Sequence, residues 1–133
     1  MWIFNGKTFT TQMIGNNVGF VYLITNTETN KKYIGKKLFK FTRTKKRKNK
    51  RSVKVLKDSD WQSYYGSNED LKNDVARLGP EKFTRTILNL CENKGTCNYL
   101  EAKYQFQYGV LESDNWYNNW ITCKISRSHV KFP

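Results

Sequence analysis

The stretches VGFVYLIT at residues 18–25 and KYIGKKLF at residues 32–39 decide the fold of this chain. Both are rich in the β-branched and aromatic residues that favour strands, and the polar NTETN between them is typical of a turn. Together they predict a β-hairpin with a longer loop. On antiparallel strands Tyr22 and Tyr33 can lie close together, provided that the register puts both on one face of the sheet.

A helix is predicted from about residue 67 to residue 78. Ser67 suits the N-cap position, and Asp70 follows three residues later. Apolar residues then recur at helical spacing, and a Gly-Pro pair ends the pattern. These residues are Leu71, Val75, Leu78, Gly79 and Pro80.

The second half of the chain predicts a third strand and a second helix. KFTRTILNL at 82–90 is the strand, and the helix runs from about Thr96 to Leu111. Its expected buried stripe is Leu100, Tyr104, Tyr108 and Leu111. From Asn115 onward we expect a loop and a short closing strand. This order of strands and helices predicts one α/β domain of the α+β kind over residues 1–133, with its core at about 18–121. We expect a central three-stranded, mainly antiparallel sheet that is flanked by helices.

Positive charge is concentrated in one segment. The 133 residues carry a formal net charge of +13, and residues 36–57 hold 12 of the 24 Lys and Arg residues and no acid. A block of this kind repels itself and favours a polyanion as partner, with nucleic acid first, or else forms a solvated loop. The sequence leaves open whether residues 40–57 form an extended arm, a frayed helix or a mobile loop. The apolar residues of the block lack the helical spacing of a membrane-surface segment.

Cysteine and histidine usage argues against a structural zinc site. The chain has three cysteines, no CxxC pair and one histidine. This pattern fits reduced thiols in the cytoplasm. No apolar run approaches the roughly 20 residues of a membrane span, and we expect no secretory signal at the N-terminus.

Several pieces in a fixed order resemble the GIY-YIG nuclease family. FVY at 20–22 stands for the first motif and YIG at 33–35 is the second. LGPEKFTRTIL at 78–88 resembles the passage from helix to strand, NYLE at 98–101 the start of the next helix, and YNN at 117–119 the segment after it. YIGKK and SDWQSYYGSN are most similar to the phage Seg-type homing endonucleases. The resemblance implies a phage-encoded, metal-dependent endonuclease acting on DNA.

Glu101 is the metal-binding residue that the resemblance implies. It would hold one divalent cation, Mg²⁺ or Mn²⁺, and Mg²⁺ prefers hard oxygen ligands and keeps several waters. Asn98 lies three residues before Glu101, so a capping-box glutamate is the structural alternative.

The two motif tyrosines are the next catalytic candidates. The resemblance gives Tyr22 the role of general base toward water and gives Tyr33 a role in orienting the water or contacting the phosphate. A phenol has a pKa of about 10, so it needs nearby cations to act as a base at neutral pH. Both could instead be core aromatics. Gly35, which has no Cβ, would let the phosphate backbone approach the strand.

The cation that neutralises the phosphate has two candidates. Arg43 lies at the spacing that the family implies for its arginine, and Lys37, beside Lys36, follows YIG directly. The family's asparagine corresponds to Asn118, which would position the site through hydrogen bonds, unless it only satisfies a turn.

The basic segment supplies the expected contacts to the DNA backbone. These residues are Lys36, Lys40, Lys45, Lys46, Arg47, Lys48, Lys50 and Arg51. We expect double-stranded DNA as partner, no membrane, a possible homodimer and the cytoplasm of a host cell. The chain stops about 15 residues after YNN, so we expect no separate DNA-reading domain. The alternatives are a catalytically inactive nucleic-acid-binding module and, less favoured, a nuclease acting on RNA.

Overall fold

The computed structural model describes residues 1–132, without the side chain of Arg47. This part of the chain forms seven strands and two α-helices. The strands are β1 (Trp2–Phe4), β2 (Lys7–Thr8), β3 (Gly19–Asn26), β4 (Lys32–Leu38), β5 (Lys40–Arg47), β6 (Lys50–Asp58) and β7 (Phe83–Cys91). The helices are α1 (Glu69–Leu78) and α2 (Lys94–Gln107), with short 3₁₀ turns at Thr11–Met13, Trp61–Ser63, Pro80–Lys82 and Arg127–His129.

The central sheet has five strands, where the sequence predicted three, in the order β2-β1-β7-β3-β4. The three predicted strands are β3, β4 and β7, and they lie side by side and antiparallel. The two additional strands come from the N-terminal segment. Because β1 pairs parallel with β7 and antiparallel with β2, the sheet is mixed. The prediction of an α+β domain is confirmed in this coarser form.

The sheet separates two hydrophobic layers. One face, with α1 and the segment around Trp61, packs a mainly aromatic cluster; it includes Trp2, Phe20, Tyr22, Ile24, Phe39, Trp61, Leu71 and Phe83. The opposite face packs a smaller cluster against α2; it consists of Val21, Ile34, Cys91, Cys97, Leu100 and Val110. The alternation of side chains along β3 produces both layers, since Phe20, Tyr22 and Ile24 point one way and Val21 the other.

The basic segment forms a β-hairpin outside the central sheet. Among the strands of residues 1–132, β5 and β6 pair with each other alone, from Lys40 opposite Asp58 to Arg47 opposite Lys50. Two hydrogen bonds from Ser59, from its N–H to the carbonyl of Phe39 at 2.9 Å and from its hydroxyl to that of Leu38 at 2.6 Å, close the base. Of the three conformations left open by the sequence, the structure shows an extended, two-stranded one.

Helix α1 begins one residue later than predicted. Its N-cap is Asn68, whose Oδ1 accepts from the N–H of Leu71 at 2.9 Å, and not Ser67. Asn68 also donates from Nδ2 to the carbonyl of Tyr117 at 2.8 Å, and this tertiary bond favours it as the cap. The predicted C-terminus is confirmed: Gly79 has φ 94° and donates to Val75.

Helix α2 begins and ends earlier than predicted. Its N-cap is Asn93, so Glu101 lies in the body of the helix and the capping-box alternative with Asn98 is wrong. Tyr108 and Leu111, predicted as buried stripe residues, are 48% and 51% exposed and follow the helix. Gly109 adopts φ 62°, in the left-handed region that ends helices.

The C-terminal segment contains no strand within the described residues. The expected closing strand is reduced to one isolated bridge between Lys32 and Trp116. Among the helices of residues 1–132, none has the length and apolar character needed to cross a membrane.

Candidate active site

The open edge of β4 is the centre of the site. β4 is the last strand of the sheet, so the N–H and C=O groups on its outer side need partners other than a strand. The segment after α2 supplies the first pair. The N–H of Lys32 donates to the carbonyl of Asn115 at 2.9 Å, and the N–H of Tyr117 donates to the carbonyl of Lys32 at 2.7 Å.

At the next two residues whose backbone groups face outward from β4, side chains provide the hydrogen-bond partners. Asn118 accepts from the N–H of Ile34 at 3.1 Å and donates to its carbonyl at 2.8 Å, as a neighbouring strand would. Gln105 of α2 donates to the same carbonyl at 2.9 Å. One position further, the N–H of Lys36 donates to the carboxylate of Glu101. The strand edge therefore gathers Asn118, Gln105 and Glu101 beside the YIG motif.

Of the two neighbouring asparagines, Asn118 is buried and Asn119 is exposed. Asn118 is the one that contacts the strand. Its two bonds fix β4 at Ile34, between Tyr33 and Gly35. Asn118 thus holds the second motif in place through the backbone.

The two motif tyrosines meet on one face of the sheet. Tyr22 lies opposite Gly35 and Tyr33 lies opposite Ile24, which places both phenols on the α1 side. Their ring centroids are 6.2 Å apart with an interplanar angle of 39°. Tyr64 packs edge-on against Tyr22 at 6.0 Å, and the hydroxyls of Tyr33 and Ser67 lie 3.3 Å apart. The register that the sequence left as a condition is the one the chain adopts.

Gly35 makes room for two neighbouring side chains, and the expected approach of a phosphate to this strand stays a prediction. A Cβ at this position would lie 2.5 Å from the hydroxyl oxygen of Tyr22 and 2.9 Å from Cε2 of Tyr33. The space that glycine leaves is thus filled by the two phenols. Gly35 is what allows them to pack across the strand pair.

The two phenols differ in their access to solvent. Tyr22 is only 1% exposed, and burial, together with the nearby Tyr64 and Tyr33, raises its pKa well above the usual range. Burial also raises the pKa of Tyr33, but this side chain lines an open cavity. The burial of Tyr22 counts against the expectation that it activates a water, because its hydroxyl has no access to the cavity and strongly favours the protonated form.

A polar cavity of about 390 Å³ lies beside the strand edge. Its lining comes from β4, the start of α1, the body of α2 and the segment after it; the residues are Tyr33, Ser67, Asn68, Glu69, Glu101, Gln105, Asn118, Asn119, Trp120 and Thr122. Tyr33 and Glu101, predicted from separate motifs, therefore face one space.

Glu101 is largely buried, and its burial raises the pKa of the carboxyl, while the charge and N–H of Lys36 act in the opposite direction. Glu69, Gln105 and Ser67 line the same cavity. These are hard oxygen donors, the type that Mg²⁺ and Mn²⁺ accept. Within residues 1–132 no three His, Cys, Asp or Glu side chains form a metal-binding group. The donor set fits a cation that keeps most of its waters.

The predicted cations lie in different places. The ammonium of Lys37 is 2.7 Å from Asp60 and 4.0 Å from the centroid of the Tyr64 ring, on the tyrosine face. Its proximity lowers the pKa of Asp60, mainly through the hydrogen bond. Lys36 is exposed beside Glu101. Arg43 lies on β5 in the hairpin, and neither Lys37 nor Arg43 is part of the cavity lining.

The expected backbone-contact residues lie mostly on the exposed hairpin. Cross-strand pairing puts Arg43 and Lys45 on one face with Val55 and Val53, and Lys40 on the other. The predicted contact of the Arg47 side chain lies outside the described residues.

Sequence reasoning missed Gln105 as a contributor to the site. Gln105 follows Glu101 by one helical turn, so the i, i+4 spacing was the available signal. Tyr64 and Ser67 lie in SDWQSYYGSN, where the sequence favoured core packing of the aromatics and an N-cap at Ser67 over a contact with the substrate.

An α+β domain with two tyrosines on paired strands, and with a helix glutamate and a buried asparagine on the strand edge, has the arrangement of a nuclease of the GIY-YIG class. A comparison with family models agrees: the model described as "Putative endonuclease segE, GIY-YIG domain" matches residues 2–121. The chain belongs to this family, so the suspected Seg type is confirmed. Searches of curated proteins and of solved structures gave no match.

Proposed function

We propose that this domain is a metal-dependent, phage-encoded endonuclease that hydrolyses phosphodiester bonds in double-stranded DNA. The observation that carries the proposal is the meeting of Tyr33 and Glu101 at one polar cavity, on a chain of the GIY-YIG endonuclease family. The net charge of +13 favours a nucleic-acid substrate.

Glu101 is the proposed ligand for Mg²⁺ or Mn²⁺. Its carboxylate accepts one hydrogen bond from the N–H of Lys36 and has further lone pairs that can bind a cation. A divalent cation at this position supplies charge neutralisation at the phosphate and a more acidic bound water. Glu69 and Gln105 line the same cavity and offer further oxygen atoms.

Tyr33 is the proposed phenol in contact with the substrate. Its raised pKa keeps the hydroxyl protonated at neutral pH, so it donates a hydrogen bond to the phosphate or to the attacking water. Tyr22 then acts as a positioning residue. It packs against Tyr33 from the buried side and fills the space above Gly35.

Lys37 is the proposed neutralising cation. It lies on the same face of β4 as Tyr33, and its partner Asp60 is 68% exposed, so the ion pair is weak and can yield to a phosphate. Arg43 contributes instead to DNA binding on the hairpin.

The β5–β6 hairpin is the proposed binding surface for the DNA backbone. It carries ten Lys and Arg residues and one acid between residues 40 and 58. A two-stranded hairpin is marginally stable alone in water, so binding to phosphates would also order it.

Replacing Lys45 and Lys46 by Gln should weaken the salt dependence of DNA binding. The slope of log K for DNA against log salt concentration should fall by about 0.9 for each phosphate that the variant no longer neutralises. An unchanged slope would remove these two lysines from the interface.

The test of the activity is a plasmid-cleavage assay with Mg²⁺, Mn²⁺ or EDTA. Wild type should cleave only with the metal, and Glu101→Gln should lose about 100-fold or more of the rate. Tyr33→Phe should lose more activity than Tyr22→Phe, and Lys37→Met more than Arg43→Gln. Glu92→Gln and Tyr99→Phe, outside the cavity, are the matched controls. Intact DNA binding without cleavage by wild type would leave a binding module in place of an enzyme.

A further inference from the structure

Trp120 stands unpacked at the rim of the active-site cavity. It is 73% exposed and forms part of the lining with Glu101 and Tyr33. The other three tryptophans differ. Trp2 and Trp61 are buried in the aromatic cluster, and Trp116 is half-buried against Tyr108 at 6.1 Å. Within residues 1–132 the indole of Trp120 takes part in no ring stacking and no cation–π contact.

The residues immediately before Trp120 are bonded to the rest of the fold. Two residues earlier, Asn118 is tied to Ile34 by two hydrogen bonds. Tyr117 donates from its hydroxyl to Asp74 at 2.6 Å and accepts from Asn26 at 3.0 Å. Trp120 therefore lies two residues after a side chain that is bonded to β4, close to the strand edge that carries the site.

The chemistry of the surrounding cavity limits what the exposed indole of Trp120 can contact. The rest of the lining is mainly polar and oxygen-rich, which suits a phosphate and its cation but not an apolar ring. On a DNA strand the aromatic groups nearest a phosphate are the bases of the adjoining nucleotides. Stacking of a base on an aromatic side chain is tolerant of sequence and strengthens binding by about 5- to 150-fold.

We propose that Trp120 stacks on an unstacked nucleobase next to the phosphodiester in the cavity. The inference rests on the proposed function and names a substrate feature. The enzyme binds best where a base beside the cut can leave the helix at low cost, as at a gap or a mismatch. Trp120 is thus a substrate-positioning residue of the site.

The test is tryptophan fluorescence during titration with DNA in EDTA, where cleavage does not enter. Two probes are compared: a duplex with a central one-nucleotide gap, and the same duplex fully paired. Wild type should show quenching with the gapped duplex and a tighter Kd for it. Trp120→Ala should lose most of the quenching and about 5- to 150-fold in affinity for the gapped duplex, and less for the paired one.

Conservative variants separate stacking from simple apolar contact. Trp120→Phe should retain more affinity for the gapped duplex than Trp120→Leu, because only the former offers an aromatic face. Trp116→Phe leaves Trp120 intact and should retain the quenching. Thermal unfolding of each variant checks that the fold is kept, and the exposure of Trp120 predicts little change.

Two results would overturn the proposal. One is an unchanged Kd for the gapped duplex in Trp120→Ala, which would show that the indole makes no contact with the base. The other is equal affinity of the Phe and Leu variants. A wild type that never cleaves but still shows the stacking signal would refute the nuclease proposal and leave this one standing.

Discussion

Replacing Asn118 by alanine should destabilise the domain through one backbone group. In the structure the N–H of Ile34 has Asn118 as its partner at 3.1 Å, whereas the carbonyl of Ile34 accepts from both Asn118 and Gln105. Ile34 is 0% exposed. Asn118→Ala therefore leaves a buried N–H unsatisfied, which costs about 1–3 kcal/mol, while the carbonyl keeps one donor.

Gln105→Ala provides the comparison. It removes one of two donors to the Ile34 carbonyl and should cost about 0.5–1.5 kcal/mol. In the double variant the carbonyl also loses its last side-chain donor. The two changes should then cost more together than their sum, with a coupling of about 1 kcal/mol.

The measurement is urea unfolding followed by tryptophan fluorescence for the two single variants and the double variant. Asn119→Ala is the matched control, since this neighbour is exposed, and its free energy of unfolding should stay within about 0.5 kcal/mol of wild type. A value for Asn118→Ala equal to that of Asn119→Ala would refute the reasoning, and so would strict additivity in the double variant.

Three further predictions concern the site and its supports. Gly35→Ala brings a Cβ within 2.5 Å of the Tyr22 hydroxyl, so it should destabilise by about 1–3 kcal/mol in urea unfolding and reduce cleavage; wild-type values would mean that the phenols can shift freely. Glu101→Gln should raise the melting temperature at pH 7. Burial raises the pKa of Glu101 in the folded state, so the protonated carboxyl stabilises the native state below the unfolded-state pKa, and this stability is lost as the pH rises through the folded-state pKa. Glutamine stays neutral at every pH and therefore avoids this loss. The difference between the variants should shrink toward pH 4, and a constant difference would contradict this assignment. Arg85→Met removes Nη1, which donates to the carbonyls of Gln62 at 3.0 Å and Tyr64 at 2.9 Å, and should cost about 1–3 kcal/mol in urea unfolding. Wild-type stability of Arg85→Met would show that these two bonds contribute nothing.

The sequence predicted well those features that depend on local alternation. The hairpin of β3 and β4 follows from side chains that favour strands on both sides of a polar turn, whereas the register that puts Tyr22 and Tyr33 on one face came from the structure. The end of α1 at Gly79 follows from glycine and proline chemistry. Local rules sufficed at these points because neighbours in sequence determine the outcome.

The features that the sequence did not predict depend on distant partners. β1 has three residues, and its parallel partner in β7 lies more than 80 residues away, so nothing local identifies it as a strand. The Tyr108–Leu111 spacing continues the helical period, but the chain turns at Gly109 and exposes both side chains. In the basic segment the density of Lys and Arg concealed the pairing of Val53 and Val55 with Lys45 and Arg43.

The site was only half predictable for the same reason. The motifs identified Tyr33, Glu101 and Asn118 by type and order, and the structure brings all three to one strand edge. The burial that withdraws Tyr22 from the cavity, and the role of Gln105, depend on β4 being the last strand of the sheet. That position is a property of the whole fold.

The covered edge of β4 also bears on how this protein behaves in solution. An exposed strand edge is a template for pairing with a second chain, and hence for aggregation. Here part of the edge is capped by the side chains of the proposed active site. Loss of Asn118 or Glu101 would thus expose unpaired backbone groups of β4 at the same positions where it removes a proposed catalytic group. Inactive descendants of this domain should be poorly soluble unless other substitutions cover the strand again.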